Sequence, residues 1–290
     1  MKLKKTLDTM FLKWLFVFAA LCVLAFVVTE VTNLHGLFVV ATLILLGFLL
    51  MVLHMRKVTI DIMAEELQKS ERIKAEFISN LSHEFKTPMT AVEGFARLLR
   101  KKSLTPEQFN EYTEIIIKET ARLSNLSTNL LRLSMLNQSG FQGEATSFYI
   151  DEQLRFTILL LERAWQEKEL SFEIDMQEIL YEGHEEMLSQ VWINILQNTI
   201  KFSPQGGVVG VSLRLEKKQI VVRISDQGPG ISEEHWPKVF DRFFTDANRN
   251  PEGVGLGLPI AKRIVELSHG EIGFTTQMGN TVFFVKLPVK

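Results

Sequence analysis

One cysteine, Cys22, stands in 290 residues, which excludes an internal disulfide framework. It sits inside an apolar segment, where it is expected to pack as a small hydrophobe. An excess of charge of either sign is also lacking. The formal net charge is −2, so nothing in the balance attracts nucleic acid, and no direct nucleic-acid partner is expected. No internal repeat and no low-complexity segment occurs. The glycine-rich run Gly253-Val-Gly255-Leu-Gly257 is neither G-x-G-x-x-G nor G-x-x-x-x-G-K-[ST], so it supports neither a dinucleotide-binding fold nor a P-loop.

Apolar residues are in excess instead. They make up 46% of the chain, with a mean hydropathy of +0.11, and the excess is concentrated at the N-terminus. Trp14 to Thr29 carries no charge, and neither does Leu34 to Met55, whose centre, Leu37 to Leu53, has Thr42 as its only polar side chain. Two transmembrane helices are expected, at about 11–31 and 34–55. No small-x-small pattern precedes Glu30 and a second apolar run follows at once, which argues against a cleaved signal peptide. Lys2, Lys4, Lys5 and Lys13 on one side and Arg56 and Lys57 on the other flank a hairpin whose connection, about Glu30 to Gly36, has no Lys or Arg. Both termini are therefore expected on the cytoplasmic side of a multi-pass protein. So short a connection leaves no room for an extracellular binding domain, which needs on the order of 50 residues.

After a charged helical linker at 56–76, the run Phe77-Ile-Ser-Asn-Leu-Ser-His83-Glu84-Phe-Lys-Thr87-Pro88 carries the first chemistry. On a helix His83 and Thr87 share one face, and Glu84 adjoins the imidazole. A neutral imidazole nitrogen attacks a γ-phosphoryl group when its other nitrogen is held by an acceptor, a part Glu84 can take. Pro88 in mid-helix removes a backbone hydrogen bond and is expected to bend the helix. Helices are expected to about Lys102 and, after a turn with Thr105 as cap, from Pro106 to about Asn137. On the second helix Tyr112, Ile116, Leu123, Leu126, Leu130 and Leu133 form an apolar stripe that Glu119 interrupts.

A second constellation begins at Asn194-Ile-Leu-Gln-Asn198-Thr-Ile-Lys201, whose spacings of four and three place the three polar residues on one helical face. Amide oxygens ligate Mg²⁺ without adding negative charge beside a triphosphate, and a lysine there offsets phosphate charge. A strand-like run ends in Asp226-Gln-Gly228-Pro-Gly230. A carboxylate at that point accepts from the exocyclic amine of adenine and would be unpaired opposite guanine, which predicts ATP over GTP. Gly253, Gly255, Gly257 and Leu258 lead into a helix, where glycines let backbone amides approach phosphates.

The His83 run resembles the H box of bacterial sensor histidine kinases. The later elements resemble the N, G1 and G2 boxes of the ATP-binding domain that these kinases share with gyrase-type topoisomerases and Hsp90 chaperones. Val239-Phe-Asp-Arg242-Phe-Phe is similar to the F box, and Gly279-Asn-Thr281 to the terminal Gly-Thr element. The resemblance covers about 65 to 290. It implies a membrane anchor (1–55), a linker (56–76), a dimerisation and phosphotransfer hairpin (77–140) that pairs into a four-helix bundle, and an α/β sandwich ATP-binding domain (144–290). It implies His83 as phosphoacceptor, Glu84 as its polarising partner and Thr87 as the residue that aligns water for dephosphorylation. Asn198 would ligate Mg²⁺, Asn194 and Lys201 would meet phosphates, Asp226 would read adenine, and Arg242 and Arg249 would serve as lid arginines. Thr199, Thr245 and Glu271 stand where the family usually has Ala, a basic residue and Gly.

The implied activity is ATP-dependent autophosphorylation of His83, transfer to an aspartate of a cognate response regulator, and regulator dephosphorylation, by a homodimer in the bacterial cytoplasmic membrane. With no extracellular domain and a linker too short for a HAMP relay, the chain resembles the small intramembrane-sensing kinases, which implies an integral membrane partner such as a transporter. Two rival readings share parts of this pattern. A gyrase- or Hsp90-class ATPase would have the ATP boxes but no reason for His83-Glu84. A phosphatase-only or scaffold regulator would keep the architecture without nucleotide turnover.

Overall fold

The computed structural model describes residues 35–101, 103–137, 145–245 and 254–289, with scattered positions between 16 and 27. Most of the expected first membrane helix, the loop at 30–36 up to Leu34, the break at Gln138 to Gly143, Arg249 and Gly253 lie outside the described residues. The chain divides into two compact units, 1–78 and 79–290, each described by itself.

In the first unit the described chain is the start of α1, His35–Leu99. It holds the one described helix long and apolar enough to cross a membrane, with a window mean hydropathy of 2.2. Val39, Leu45, Leu49 and Leu53 are exposed along it. Such a ring of bare apolar side chains is unfavourable in water and matches a hydrocarbon surround.

In the second unit α1 continues unbroken through Pro88, whose ring is buried, and ends at Leu99, three residues before the expected limit. The next helix, α2 (Pro106–Asn137), opens with a reciprocal capping box. The Gln108 amide N–H donates to Thr105 Oγ1 (3.3 Å) and the Thr105 N–H donates to Gln108 Oε1 (3.2 Å), which satisfies two donors that a helix start would leave unpaired. Leu126, Leu133 and also Leu136 are buried within the unit's own core. Leu81 and Phe85 of α1 pack against that core, so the lower part of the stripe is covered within one chain. The apolar side chains left bare on the hairpin are Met89, Phe109, Ile117, Leu131 and Met135.

The α/β part runs β1 (Thr146–Tyr149), α3 (Ile150–Leu160), α4 (Glu162–Glu167), β2 (Ser171–Met176), β3 (Leu180–Gly183), α5 (Glu185–Phe202), β4 (Val208–Glu216), β5 (Gln219–Asp226), α6 (Gly257–Leu267), β6 (Glu271–Gln277) and β7 (Asn280–Pro288). Five strands form one sheet in the order β2-β4-β5-β7-β6, and β1 pairs with β3 beside it. Among the described strand pairs, only β2 and β4 are parallel. Alternate residues of β4 (Val209, Val211, Leu213), β5 (Ile220, Val222, Ile224) and β7 (Phe283, Val285, Leu287) point to one face. Against it lie α5, through Leu188, Trp192 and Ile195, and α6, through Ile260, Ala261 and Ile264. The period of two in the strands and of 3.6 in the helices is what lets two such layers close over one core.

Two sets of buried and half-buried polar contacts fix the helices. Trp192 Nε1 donates to Gln153 Oε1 (2.6 Å), and Gln153 Nε2 donates to the Glu185 carbonyl (2.8 Å). Lys168 Nζ donates to the carbonyls of Lys201 (2.5 Å) and Ser203 (2.9 Å), which gives the last turn of α5 a cation at its negative end.

Candidate functional site

The N-terminal half of the site is the exposed side of α1. His83 and Thr87 are solvent-exposed and Glu84 is half-buried. Neighbours one apart on a helix do not face each other. The Glu84 carboxylate accordingly turns to α2, where Arg122 donates to it at 3.1 Å. Thr87 Oγ1 donates to the His83 carbonyl at 3.3 Å, a long contact of the kind a threonine makes with the turn before it.

The other half is a cavity of about 540 Å³, within the range that holds a nucleotide-sized ligand. Its lining brings together Asn194, Asn198 and Lys201 from α5, Asp226 at the end of β5, Gly230, Gly255, Gly257 and Leu258, and Thr281 of β7. Thr281 pairs with Asp226 across the β5–β7 ladder, which explains why elements 55 residues apart meet at one spot. His83, Glu84, Thr87, Gly228 and Arg242 are not part of this lining.

Asp226 is buried, with 4% of its surface exposed. Loss of hydration pushes its carboxyl up to about 6, against the opposing hydrogen bond from the Gly228 N–H, which donates to Oδ1 at 2.8 Å. Gly228 has no room for a side chain: a Cβ there would lie 2.6 Å from Asp226 Oδ1 and 2.7 Å from the Phe202 carbonyl oxygen. Gly255 holds φ +68°, and a Cβ would meet the Phe244 carbonyl oxygen at 2.6 Å. Gly257, by contrast, opens α6 beside Asn194, with only ordinary contacts. Asn194 is buried and its Nδ2 has no partner.

This donor set fits a nucleoside triphosphate with its magnesium. A buried unpaired N–H, a lysine and a glycine-lined helix start suit phosphate oxygens, while a buried carboxyl suits an amino-purine edge. Among the described residues no group of three or more His, Cys, Asp or Glu could hold a metal ion. The oxygens that the lining offers a cation include the Asn198 amide and the carboxylates of Glu119 and Asp226.

Sequence reasoning did not find the wall that α2 contributes. Lys118, Arg122, Asn125 and Asn129 line the same cavity, as does Glu119. Their spacing of four, three and four is a polar stripe that helical periodicity could have flagged. Thr199, where the resembling family has Ala, is fully buried and its hydroxyl finds no partner.

A family model described as the histidine kinase-, DNA gyrase B- and HSP90-like ATPase matches residues 183–290, and the His kinase A phospho-acceptor domain matches residues 73–139. The heme sensor protein HssS of Staphylococcus saprophyticus is 32% identical over 232 residues, 79% of this chain and 50% of that protein. Sensor protein GacS of Pseudomonas syringae is 31% identical over 253 residues, 81% of this chain and 27% of that protein. The chain thus spans half or less of these curated relatives. Among solved structures, histidine kinase ThkA in complex with the response regulator protein TrrA is similar with a TM-score of 0.64 and 26% identity, over 77% of this chain and 64% of that one. Acinetobacter baumannii histidine kinase AdeS shares the fold, with a TM-score of 0.60 at 21% identity, over 72% of this chain and 98% of that one.

Proposed function

We propose, from the premise that the chain belongs to the two-component sensor histidine kinases, that it phosphorylates itself on His83 from ATP and passes the group to an aspartate of a response regulator. The observation that carries this reading is the cavity that gathers Asn194, Asn198, Lys201, Asp226 and the glycine loops in the same unit as the exposed His83. Asp226 accepts from the adenine amine, and Asn194 and Lys201 hold phosphate oxygens. Magnesium, when bound, offsets triphosphate charge, and Asn198 is the side chain to hold it. The neutral imidazole attacks the γ-phosphorus, the bond to the bridging oxygen breaks, and ADP leaves. The positive charge developing on the ring requires an acceptor, and Glu84 supplies it once Arg122 releases it.

Several finer features belong to the same proposal. Thr87 aligns water for dephosphorylation of the regulator. Arg242 and Arg249 act on the lid, and Gly228 and Gly253 complete the loops. A second copy of the chain covers the bare Ile117, Leu131 and Met89 in a four-helix bundle. The helix from His35 and the preceding apolar run at 11–31 form two spans in the cytoplasmic membrane, with both termini inside. The signal reaches them through the bilayer or an integral membrane partner such as a transporter.

The test is incubation of the purified full chain with γ-labelled ATP. Acid-labile, alkali-stable label is expected, and His83→Ala should abolish it while ATP binding persists. Label remaining on His83→Ala would move the acceptor elsewhere. ATP binding without any label on the unsubstituted chain would favour the phosphatase-only or scaffold alternative.

A further inference from the structure

A side-chain relay runs from α2 into the nucleotide cavity. Arg132 Nη1 donates to Gln190 Oε1, and Gln190 Nε2 donates to Asn194 Oδ1 at 2.9 Å. An amide taken alone can face either way. A guanidinium has five donors and no acceptor, so Gln190 must turn its oxygen to Arg132 and its NH₂ onward to Asn194. Asn194 in turn accepts with its oxygen and leaves its Nδ2 buried and unpaired, in a residue that lines the cavity. One cation on α2 thereby orients two amides in series. Gln190 and Asn194 are 9% and 5% exposed, so neither has bulk water as an alternative partner, and the orientation carries the full desolvation penalty if broken.

We infer that Arg132 and Gln190 are positioning residues that set Asn194 as a hydrogen-bond donor toward the phosphate oxygens of the nucleotide, so that the grip on ATP depends on α2 being seated against α5. This rests on the kinase reading above and deepens it. It divides the labour between the two asparagines: Asn194 presents hydrogens and faces an anion, which leaves the cation to Asn198. It also makes nucleotide affinity a report of helix position. When α2 withdraws, Arg132 no longer dictates the Gln190 amide, Gln190 can offer its oxygen to Asn194 instead, and the donor aimed at the phosphates is lost.

The test is equilibrium binding of a non-hydrolysable ATP analogue with magnesium to the detergent-solubilised full chain. Arg132→Met and Gln190→Met should each weaken binding about tenfold, the size of one charge-assisted hydrogen bond, and the double variant should be no weaker than either alone, because both break one relay. Arg132→Lys, which keeps a donor, should restore affinity. Arg132 is exposed, so its variants test the relay even if Gln190→Met perturbs folding. Unchanged affinity in Arg132→Met, or a double variant about a hundredfold weaker, would overturn the relay. Absence of binding by the unsubstituted chain would overturn the kinase reading and this inference with it.

Discussion

The guanidinium of Arg122 lies 3.1 Å from the carboxylate of Glu84, so the residue beside His83 is tied to the helix that walls the nucleotide cavity. Arg122 also stands 3.9 Å from Glu119, whose Oε2 is buried without a hydrogen bond. One cation is shared by two carboxylates, one next to His83 and one lining the cavity. On the proposed function, Glu84 would serve either Arg122 or the His83 imidazole, and the structure shows the first.

The Arg122–Glu84 pair is half-buried, with side chains 23% and 31% exposed, and is expected to couple by about 1 kcal/mol. A double-mutant cycle of Arg122→Gln and Glu84→Gln in urea unfolding measures it. Arg122→Gln should also raise the initial rate of autophosphorylation, because the carboxylate is freed. A fall in rate would show that Arg122 is needed at the phosphates instead.

Thr87→Ala should impair regulator dephosphorylation more than autophosphorylation, since it removes a hydroxyl held only by a 3.3 Å contact to the His83 carbonyl. Glu84→Ala should do the reverse, because the imidazole loses the group that stabilises its charge. Equal loss of both activities in both variants would point to helix-hairpin stability as the common cause.

Asp226 titrates near pH 6 because burial disfavours its charge. Its folded value lies above the ordinary carboxylate value, so the folded chain binds more protons in this window. The stability present below about pH 4 is lost as pH rises through 6. Asp226→Asn should therefore stabilise the domain at pH 7, by roughly 3 kcal/mol, and flatten the dependence of unfolding on pH. The same change should weaken ATP binding and blunt the preference over GTP. In the unsubstituted chain ATP affinity should rise between pH 5 and about 7, as the better acceptor forms. Unchanged ATP affinity in Asp226→Asn would mean that another group reads adenine.

Gly255→Ala should abolish nucleotide binding while far-ultraviolet circular dichroism stays nearly unchanged. It demands a side chain at φ +68° with backbone atoms of Phe243 and Phe244 under 3 Å away, a strain on the order of 1–3 kcal/mol. Gly94→Ala is the contrast. Nothing lies within 4 Å of a Cβ there, inside α1, so it should stabilise the chain by about 0.5–1 kcal/mol.

Local chemistry was legible without coordinates. The Thr105 cap, the limits of α2 and the shared face of Asn194, Asn198 and Lys201 follow from backbone period and capping, which act within a few residues. The position of Asp226 at a strand end was read the same way. What α2 covers was not legible. Its stripe promised burial, and the resemblance assigned it to a four-helix bundle with a second copy. Tertiary packing turned Leu126, Leu133 and Leu136 onto the chain's own core and the polar stripe from Lys118 to Asn129 onto the cavity. Arg122 meets Glu84 across 38 residues, Arg132 meets Gln190 across 58, and Arg263 reaches the Leu136 carbonyl across 127. Periodicity says which side of a helix is apolar, because that is set by 3.6 residues per turn. Which distant donor finds which acceptor is decided only when the layers close and water is gone.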